Sequence, residues 1–274
     1  MPTFKPQTPT IVDPTGVPPG NEPRPMGTTT DTSRAEIVEE TGGTPRVDFD
    51  NTSNPYIDYQ SIDLLLTLQH PRSDAYDETC FFIMGQVKEL LFKSLHFELH
   101  NARHLIRDDQ VHDALMVLDR SLEITKLLIN TWDVVATVSA EGFNQFRDHL
   151  DQASGQLSFM FRHVEFILGN KDRSLASAHR NVPHVWPHMK EALESPSLYD
   201  EVIAMLDRRG FAIDPGALDR DWAGAYAPDQ SVEQAWFDIY DDPSTGNDLY
   251  RLGETLIALD EQMTLYRWRH FVLV

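Results

Sequence analysis

The sequence from Asp248 to Val274 reads DLYRLGETLIALDEQMTLYRWRHFVLV and predicts one long amphipathic helix. Its apolar positions recur at alternating steps of three and four, the spacing that places side chains on one helical face. These positions are Leu249, Leu252, Leu256, Leu259, Met263, Tyr266, His270 and Leu273. His270 therefore lies on an apolar seam, where an imidazole needs a backbone carbonyl, a carboxylate or a metal as its partner. The seam alone leaves a satisfied core histidine and a metal ligand both open.

Most of the chain after Pro55 has the same helical periodicity, and no alternating pattern bounded by hairpin turns is present. The strongest predicted helices are 57–69, 77–106, 111–137, 141–150, 157–168, 198–207, 232–240 and 248–274. Several of them are long enough to run side by side. The sequence thus predicts an all-α fold, a bundle of long helices.

Residues 1–54 are rich in Pro, Thr and Gly and contain few large apolar residues. Such a composition does not offset the entropy of ordering unless the segment docks on something. We therefore expect an irregular, flexible N-terminal arm. Residues 55–274 show no internal repeat and no sign of a second core, so we expect one all-α domain there.

Composition excludes several classes of protein. The net charge of −20 argues against nucleic acid or an anionic membrane as a partner. With Cys80 as its single cysteine, the chain forms no internal disulfide and has no CxxC zinc motif or CxxCH haem-attachment motif. No apolar run is long enough to span a bilayer and the N-terminus lacks a signal-peptide core, so we expect a cytoplasmic protein.

Two positions are unusual for an ordinary helical core. Arg147 shares a predicted helix face with Phe143, Phe146 and Leu150, and a buried guanidinium needs either an internal carboxylate or a ligand carboxylate. A glycine such as Gly85 inside a helix costs about 1 kcal/mol relative to alanine.

Phe81 lies one turn before Gly85, on the same face. The glycine is explained either by a closely packed helix or by space for a flat ligand.

His96, His100 and His104 are spaced one helical turn apart, which also permits a zinc or nickel site. Their neighbours Glu98 and Arg103 favour a solvated helix face instead. The sequence contains no HExxH motif, glycine-rich phosphate loop or nucleophile elbow. Hydrolase and nucleotide-binding functions therefore have no support.

Several motifs, in order, resemble the tryptophan 2,3-dioxygenase family over about residues 55–274. They are Tyr56-Ile57-Asp58-Tyr59, Gln69-His70-Pro71, Asp77-Glu78, Gln86-Val87-Lys88-Glu89-Leu90, Trp132-Asp133-Val134, Phe146-Arg147-Asp148, Ala153-Ser154-Gly155, Glu165-Phe166-Ile167-Leu168-Gly169-Asn170-Lys171 and Arg267-Trp268-Arg269-His270. The resemblance implies a helical homotetramer that binds haem b, O2 and an indole substrate.

The resemblance also implies roles for individual residues. It makes His270 the iron ligand, and Arg147 the group that binds the substrate carboxylate. The other implied positions are Phe81 and Phe143 beside the substrate, Gly85 on the distal side, Trp132 and Ser154 lining the haem pocket, and Tyr56 and Tyr59 reaching a neighbouring subunit's site.

Three features depart from the family pattern. Gly85 stands where the family has a distal histidine, and Phe143 stands where it has a tyrosine. The sequence ends before the Gly-Thr-Gly-Gly-Ser loop that closes over the substrate's ammonium group. These departures favour altered oxygen chemistry or a differently substituted indole.

The leading hypothesis is a haem-dependent oxygenase that inserts oxygen at C2 or C3 of tryptophan or a modified tryptophan, giving a 2-oxindole or hydroxyindolenine. One alternative is ring opening to N-formylkynurenine by a tryptophan 2,3-dioxygenase. Another is a haem-binding sensor or assembly protein without catalysis, and a third is a helical interaction protein without haem.

Overall fold

The regular secondary structure is helical throughout the part of the chain that the computed structural model describes, which comprises residues 4–16, 20, 22–24, 26, 28–44, 54–151 and 153–273. The α-helices are α1 (Asp31–Thr41), α2 (Pro55–Gln60), α3 (Ile62–Leu65), α4 (Tyr76–Arg107), α5 (Val111–Val135), α6 (Ala140–Phe146), α7 (Phe159–Leu168), α8 (Arg173–Ala176), α9 (Trp186–Glu194), α10 (Leu198–Arg208), α11 (Pro215–Leu218), α12 (Gln230–Tyr240) and α13 (Asp248–Leu273). Short 3-10 helices occur at Pro14–Gly16, Arg147–Leu150, Gly155–Leu157 and Ser177–His179. The all-α prediction is confirmed, since these ranges contain no strand.

Helices α4 and α5 form the centre of the fold. They are joined by the short segment 108–110, in which Asp109 has a φ of 59°, so that the chain reverses and the two helices pack along each other. The buried stripe of α4 includes Phe92, Leu95, Leu99, Ala102 and Ile106. Each fully buried side chain of this size contributes about 1.5–3 kcal/mol.

Helix α13 packs against α5 through the seam that the sequence predicts. Five seam residues are buried, namely Leu249, Leu252, Leu259, Met263 and Tyr266. The next seam position, His270, is half-buried in the last turn of the helix. The packing of α13 against α5 therefore places this imidazole beside α5.

Two predicted helices end earlier than their periodicity indicates. The segment 57–69 divides into α2 and α3 because Ser61 adopts a left-handed conformation with φ 51°. The segment 141–150 leaves the α-helix at Phe146 and continues as a 3-10 turn. This change of register alters the direction of every side chain after Phe146.

Helix α9 was not predicted, and it builds a second apolar cluster that the sequence did not indicate. This cluster contains Phe166, Ala176, Val185, Met189, Leu193 and Ala223. Pro187 in the first turn of α9 was an available signal, because proline is favoured there.

The chain divides into two compact units, 1–16 with 71–274, and 17–70. In the first unit, Gln7 and Asn101 exchange hydrogen bonds of 2.7 and 3.0 Å, and Ile11 is buried. In the second unit, α1 begins with a capping box at Thr30 and buries none of its residues. The described part of the arm that composition predicts to be irregular thus contains α1 and the 3-10 helix Pro14–Gly16. Residues 1–3, 17–19, 21, 25, 27 and 45–53 of the arm lie outside the described residues. A single oxygenase domain over 55–274 stays a prediction.

A search of the described helices for one apolar and long enough to cross a membrane found none.

Candidate functional site

The centre of the candidate site is a ring stack between α13 and α5. The imidazole of His270 lies against the indole of Trp132, with ring centroids 5.1 Å apart and an angle of 19° between the planes. Trp132 is 4% exposed, and its Nε1 has no acceptor among the described residues. Burial, reinforced by the nearby Lys88 ammonium, lowers the pKa of His270, so the imidazole is neutral at neutral pH.

Two ion pairs hold α13 just before His270. Arg269 Nη2 lies 3.0 Å from Asp133 Oδ1 on α5, and Arg267 Nε lies 3.5 Å from Glu165 Oε1 on α7. Glu165 is buried and also pairs with Arg162. The last turn of α13 is therefore fixed to two neighbouring helices.

Lys88 and Gly155 complete the surroundings of the stack, and the sequence assigned neither of them a role. Lys88 Nζ lies 3.3 Å from the centroid of the Trp132 ring, and burial lowers the pKa of Lys88 to about 8. A Cβ built on Gly155 would lie 3.1 Å from Cε1 and 3.2 Å from Nε2 of His270. The absence of a side chain at Gly155 thus allows its loop to approach the imidazole closely. The glycine of the Ala153-Ser154-Gly155 motif was the available sequence signal for this close approach.

Ser154 is exposed, and its hydroxyl accepts a hydrogen bond from the Gln156 backbone N–H at 3.3 Å. It therefore caps the 3-10 turn 155–157. In the described structure the contact of this loop with His270 is made by Gly155. A role for Ser154 in lining a haem pocket stays a prediction.

A cluster of three phenylalanines joins α4 to α6. The ring centroid of Phe81 lies 5.9 Å from that of Phe143 and 5.4 Å from that of Phe146. The two helices approach closely at Gly142, where any Cβ would clash with the Asp77 carboxylate. The structure therefore brings Phe81 and Phe143 together, as their common assignment to a substrate pocket requires.

Gly85 is exposed, and a Cβ added there would meet no atom within 4 Å in the described structure. Close packing of another helix therefore does not explain this glycine. The open space beside it agrees with the other explanation, room for a flat ligand.

Arg147 is exposed, so the prediction of a buried guanidinium was wrong. The reason is the change from α6 to a 3-10 turn after Phe146, which takes Arg147 out of the apolar stripe. Among the described residues, the Arg147 side chain has no hydrogen bond or ion pair, so an internal carboxylate partner is absent there. Arg147 is the first residue of the segment 147–157, and Gly155 of the same segment lies next to His270.

Tyr56 and Tyr59 lie on α2 in the unit 17–70 and are 66% and 79% exposed. The Asn54 side chain caps this helix by accepting hydrogen bonds from the Tyr56 and Ile57 backbone N–H groups. Two large aromatic side chains on one short, capped helix are available for contact with another molecule.

The prediction that the histidine-bearing face of α4 is solvated was wrong. His96, Glu98 and Asn101 are buried, and His100 and His104 are half-buried. His96 packs against His163 of α7, and Asn101 accepts a hydrogen bond from the Gln7 backbone N–H in the segment 4–16. Glu98 pairs with Arg120 of α5. Periodicity missed this because a second layer of helices covers the polar side of α4.

The chain is similar to known tryptophan 2,3-dioxygenases. The model of the family described as "Tryptophan 2,3-dioxygenase" matches residues 40–192. "Tryptophan 2,3-dioxygenase 1" of Ralstonia nicotianae is 38% identical over 229 residues, which cover 84% of this chain and 78% of the relative. "Tryptophan 2,3-dioxygenase" of Burkholderia mallei is also 38% identical, over 84% of this chain and 74% of its own. The chain therefore belongs to the tryptophan 2,3-dioxygenase family of haem-dependent oxygenases.

Proposed function

We propose that this chain holds haem b on His270 and oxygenates L-tryptophan with O2, adding both oxygen atoms across C2–C3 to give N-formylkynurenine. The observation that carries the proposal is the stack of His270 on the buried Trp132 at the anchored end of α13. The names of the relatives support addition of two oxygen atoms. They give no support to the 2-oxindole or hydroxyindolenine product that the sequence analysis placed first.

The residues around His270 fit a haem. An imidazole is a good iron ligand, and the ring nitrogens of His270 have no hydrogen-bond partner in the described part of the chain. The buried Trp132 N–H, also unpaired there, would donate to an acceptor of the bound group. Haem iron, when bound, supplies the activation of O2.

The substrate would be held by groups that are open in the structure. Arg147 would bind the carboxylate through its planar fork of donors. Phe81 and Phe143 would contact the indole, and Gly85 would leave the distal side free for the ring and for O2.

A second candidate is insertion of a single oxygen atom. It is favoured by the lack of any polar side chain at Gly85 and by the lack of a hydroxyl at Phe143. The two outcomes differ in their electron balance. Ring opening uses both atoms of O2 and needs no reductant, whereas insertion of one atom leaves the second to be reduced to water by two added electrons.

The test uses haem-loaded protein with L-tryptophan and labelled dioxygen. Once the haem has been reduced to the ferrous state, a product that carries both labelled atoms and forms without further consumption of reductant supports ring opening. One labelled atom and a requirement for reductant would replace it with the second candidate. Haem binding without turnover of L-tryptophan or a ring- or β-methylated tryptophan would overturn both in favour of the non-catalytic protein.

The same preparation tests the iron ligand. His270→Ala should lose the Soret band of the ligated haem, because it removes the proposed iron ligand. His112→Ala, at an exposed histidine on α5, is the matched control and should retain it. An unchanged spectrum in His270→Ala would exclude this residue as the ligand.

We also propose a homotetramer in which Tyr56 and Tyr59 reach the site of a neighbouring subunit. The support is the exposure of both rings on a short, capped helix. Light scattering should give the mass of four chains, and replacing both tyrosines by alanine should lower activity with L-tryptophan. A monomeric wild-type protein with full activity would contradict this assembly.

A further inference from the structure

A cavity of about 280 Å³ lies between α4, α7 and α9, beneath the segment 4–16. Its wall includes four histidines, one arginine and one glutamate: His96, His100, Arg103, His163, His188 and Glu191. None of these residues belongs to the His270–Trp132 stack or to the groups proposed to hold tryptophan. The cavity is slightly smaller than the roughly 300–1,000 Å³ typical of pockets for drug-sized ligands, so it suits a small ligand.

Two imidazoles in the cavity wall have unpaired buried nitrogens. His96 and His163 are 5% and 2% exposed, yet His96 Nδ1 and His163 Nε2 have no hydrogen-bond partner among the residues described. The two rings meet edge to face with centroids 5.3 Å apart. An unpaired buried polar atom costs about 1–3 kcal/mol, so a group that pairs with these atoms would bind favourably.

Arg103 adds a positive charge that forms no direct ion pair with a carboxylate of the described residues. Its Nη1 donates to the Pro196 carbonyl at 2.9 Å, while its Nε has no acceptor in the described structure. The nearby Arg107 differs, because it pairs with the Glu201 carboxylate. Burial, reinforced by the nearby Arg107, lowers the pKa of Arg103, and the carboxylates of Glu201 and Glu191 oppose this only in part.

The arrangement of these groups favours an anion over a metal ion. Within the described ranges, no three His, Cys, Asp or Glu side chains are grouped to hold a metal. A metal cation would also be repelled by Arg103. Glu191, the acidic residue in the wall, is exposed on α9 and forms no ion pair with Arg103 within the described structure.

We propose that this cavity binds a small oxyanion, a phosphate or a carboxylate, through the Arg103 guanidinium and the His96 and His163 imidazoles. The guanidinium supplies charge and a planar set of donors suited to oxyanions. Each imidazole can turn an N–H towards the anion by choice of tautomer. The site is separate from the His270–Trp132 stack in its residues, so it does not depend on the function proposed above.

Titration calorimetry on the full-length, haem-loaded protein tests this site. Inorganic phosphate and acetate are titrated in separate experiments, with sodium chloride keeping the ionic strength constant. We expect saturable binding of at least one of them, and the anion that binds identifies the preferred chemistry. Arg103→Gln should weaken that binding by roughly tenfold or more, equivalent to about 1.4 kcal/mol.

Arg251→Gln is the matched control, since it removes one positive charge from the exposed face of α13 and should leave binding unchanged. If Arg103→Gln does not fold, His163→Gln replaces it and should weaken binding several-fold, because it removes one of the imidazoles proposed to bind the anion. Absence of saturable binding of both anions up to roughly 10 mM, well above a Kd of about 1 mM, would overturn the proposal. Equal binding by the wild type and a folded cavity variant would also overturn it. A separate titration with zinc chloride in which zinc binds, while neither anion does, would overturn it as well.

Discussion

The imidazole of His270 and the indole of Trp132 lie almost parallel, with 5.1 Å between their ring centroids. Trp132 is buried on the central helix α5, whereas His270 is in the last turn of α13, where a helix tends to fray. The stack, together with the ion pairs of Arg267 and Arg269, therefore gives a terminal residue a defined orientation. A ligand held in one orientation loses less entropy when it binds a metal.

The close approach of Gly155 to His270 gives the first prediction. Gly155→Ala places a methyl group 3.1 Å from Cε1 of the imidazole, so the ring or the loop must shift by a few tenths of an ångström. Groups that orient metal ligands typically change metal affinity by about 10–100-fold, and we expect a roughly tenfold loss of haem affinity. Titration of haem into the protein, followed at the Soret band, measures this change.

Gly246→Ala is the control for Gly155→Ala, because a Cβ at Gly246 meets nothing within 4 Å in the described structure. It should bind haem as the wild type does. Unchanged haem affinity in Gly155→Ala would show that the loop and the imidazole move apart without effect on the ligand.

Gly85 gives the second prediction, which concerns stability and substrate binding together. Gly85→Ala should raise the free energy of unfolding by about 1 kcal/mol, because alanine is favoured inside an exposed helix and no atom obstructs its Cβ. Thermal unfolding should shift upwards by roughly 2–4 °C. If an indole uses this space, the KM for L-tryptophan rises in the same variant.

The stability gain alone does not test the pocket. A more stable Gly85→Ala with unchanged KM and kcat would place the substrate elsewhere. A less stable variant would instead show that something packs on Gly85 after all.

The sequence predicted the central helices well, because each depends on a local pattern. The seam of α13 follows from a spacing of three and four, and His270 falls on that seam. The grouping of Phe81 with Phe143, on different helices, came from the family resemblance and not from periodicity.

The errors come from interactions that a helical pattern does not contain. Arg147 was expected inside a stripe, but the change to a 3-10 turn after Phe146 exposes it. His96 was expected in water, but α7 and α9 form a second layer over it. Lys88 received no role, since its contact with the Trp132 ring joins two helices and requires their relative position.

A third prediction concerns Glu89 and pH. Burial raises the pKa of Glu89, and its hydrogen bond with Ser158 opposes this only in part. Because the folded state then binds the proton more tightly than the unfolded state, stability decreases as the pH rises from the unfolded to the folded pKa. Glu89→Gln keeps a hydrogen-bonding group without charge, so it should be more stable than the wild type above the folded pKa.

The gain in the free energy of unfolding of Glu89→Gln should disappear below about pH 4, where the wild-type carboxyl is protonated in both the folded and the unfolded protein. Urea unfolding at a series of pH values measures the difference. Glu261→Gln, at an exposed glutamate on α13, is the control and should show no such trend. A constant difference between Glu89→Gln and the wild type at all pH values would contradict the assignment to protonation.

The last prediction separates substrate binding by Arg147 from a structural role. Arg147 is exposed and has no hydrogen bond or ion pair with the described residues, so Arg147→Met should change the free energy of unfolding by less than about 0.5 kcal/mol. Loss of a charged hydrogen bond to the substrate carboxylate costs about 1.5–3 kcal/mol, so kcat/KM for L-tryptophan should fall roughly tenfold to a hundredfold. Arg251→Met, which removes an exposed charge from α13, should retain wild-type kinetics.

Tryptamine, which has no carboxylate, provides the decisive comparison, because the wild type and Arg147→Met should bind it equally, as measured by the shift of the Soret band. If Arg147→Met loses tryptamine and tryptophan to the same extent, the guanidinium supports the pocket and does not bind the carboxylate.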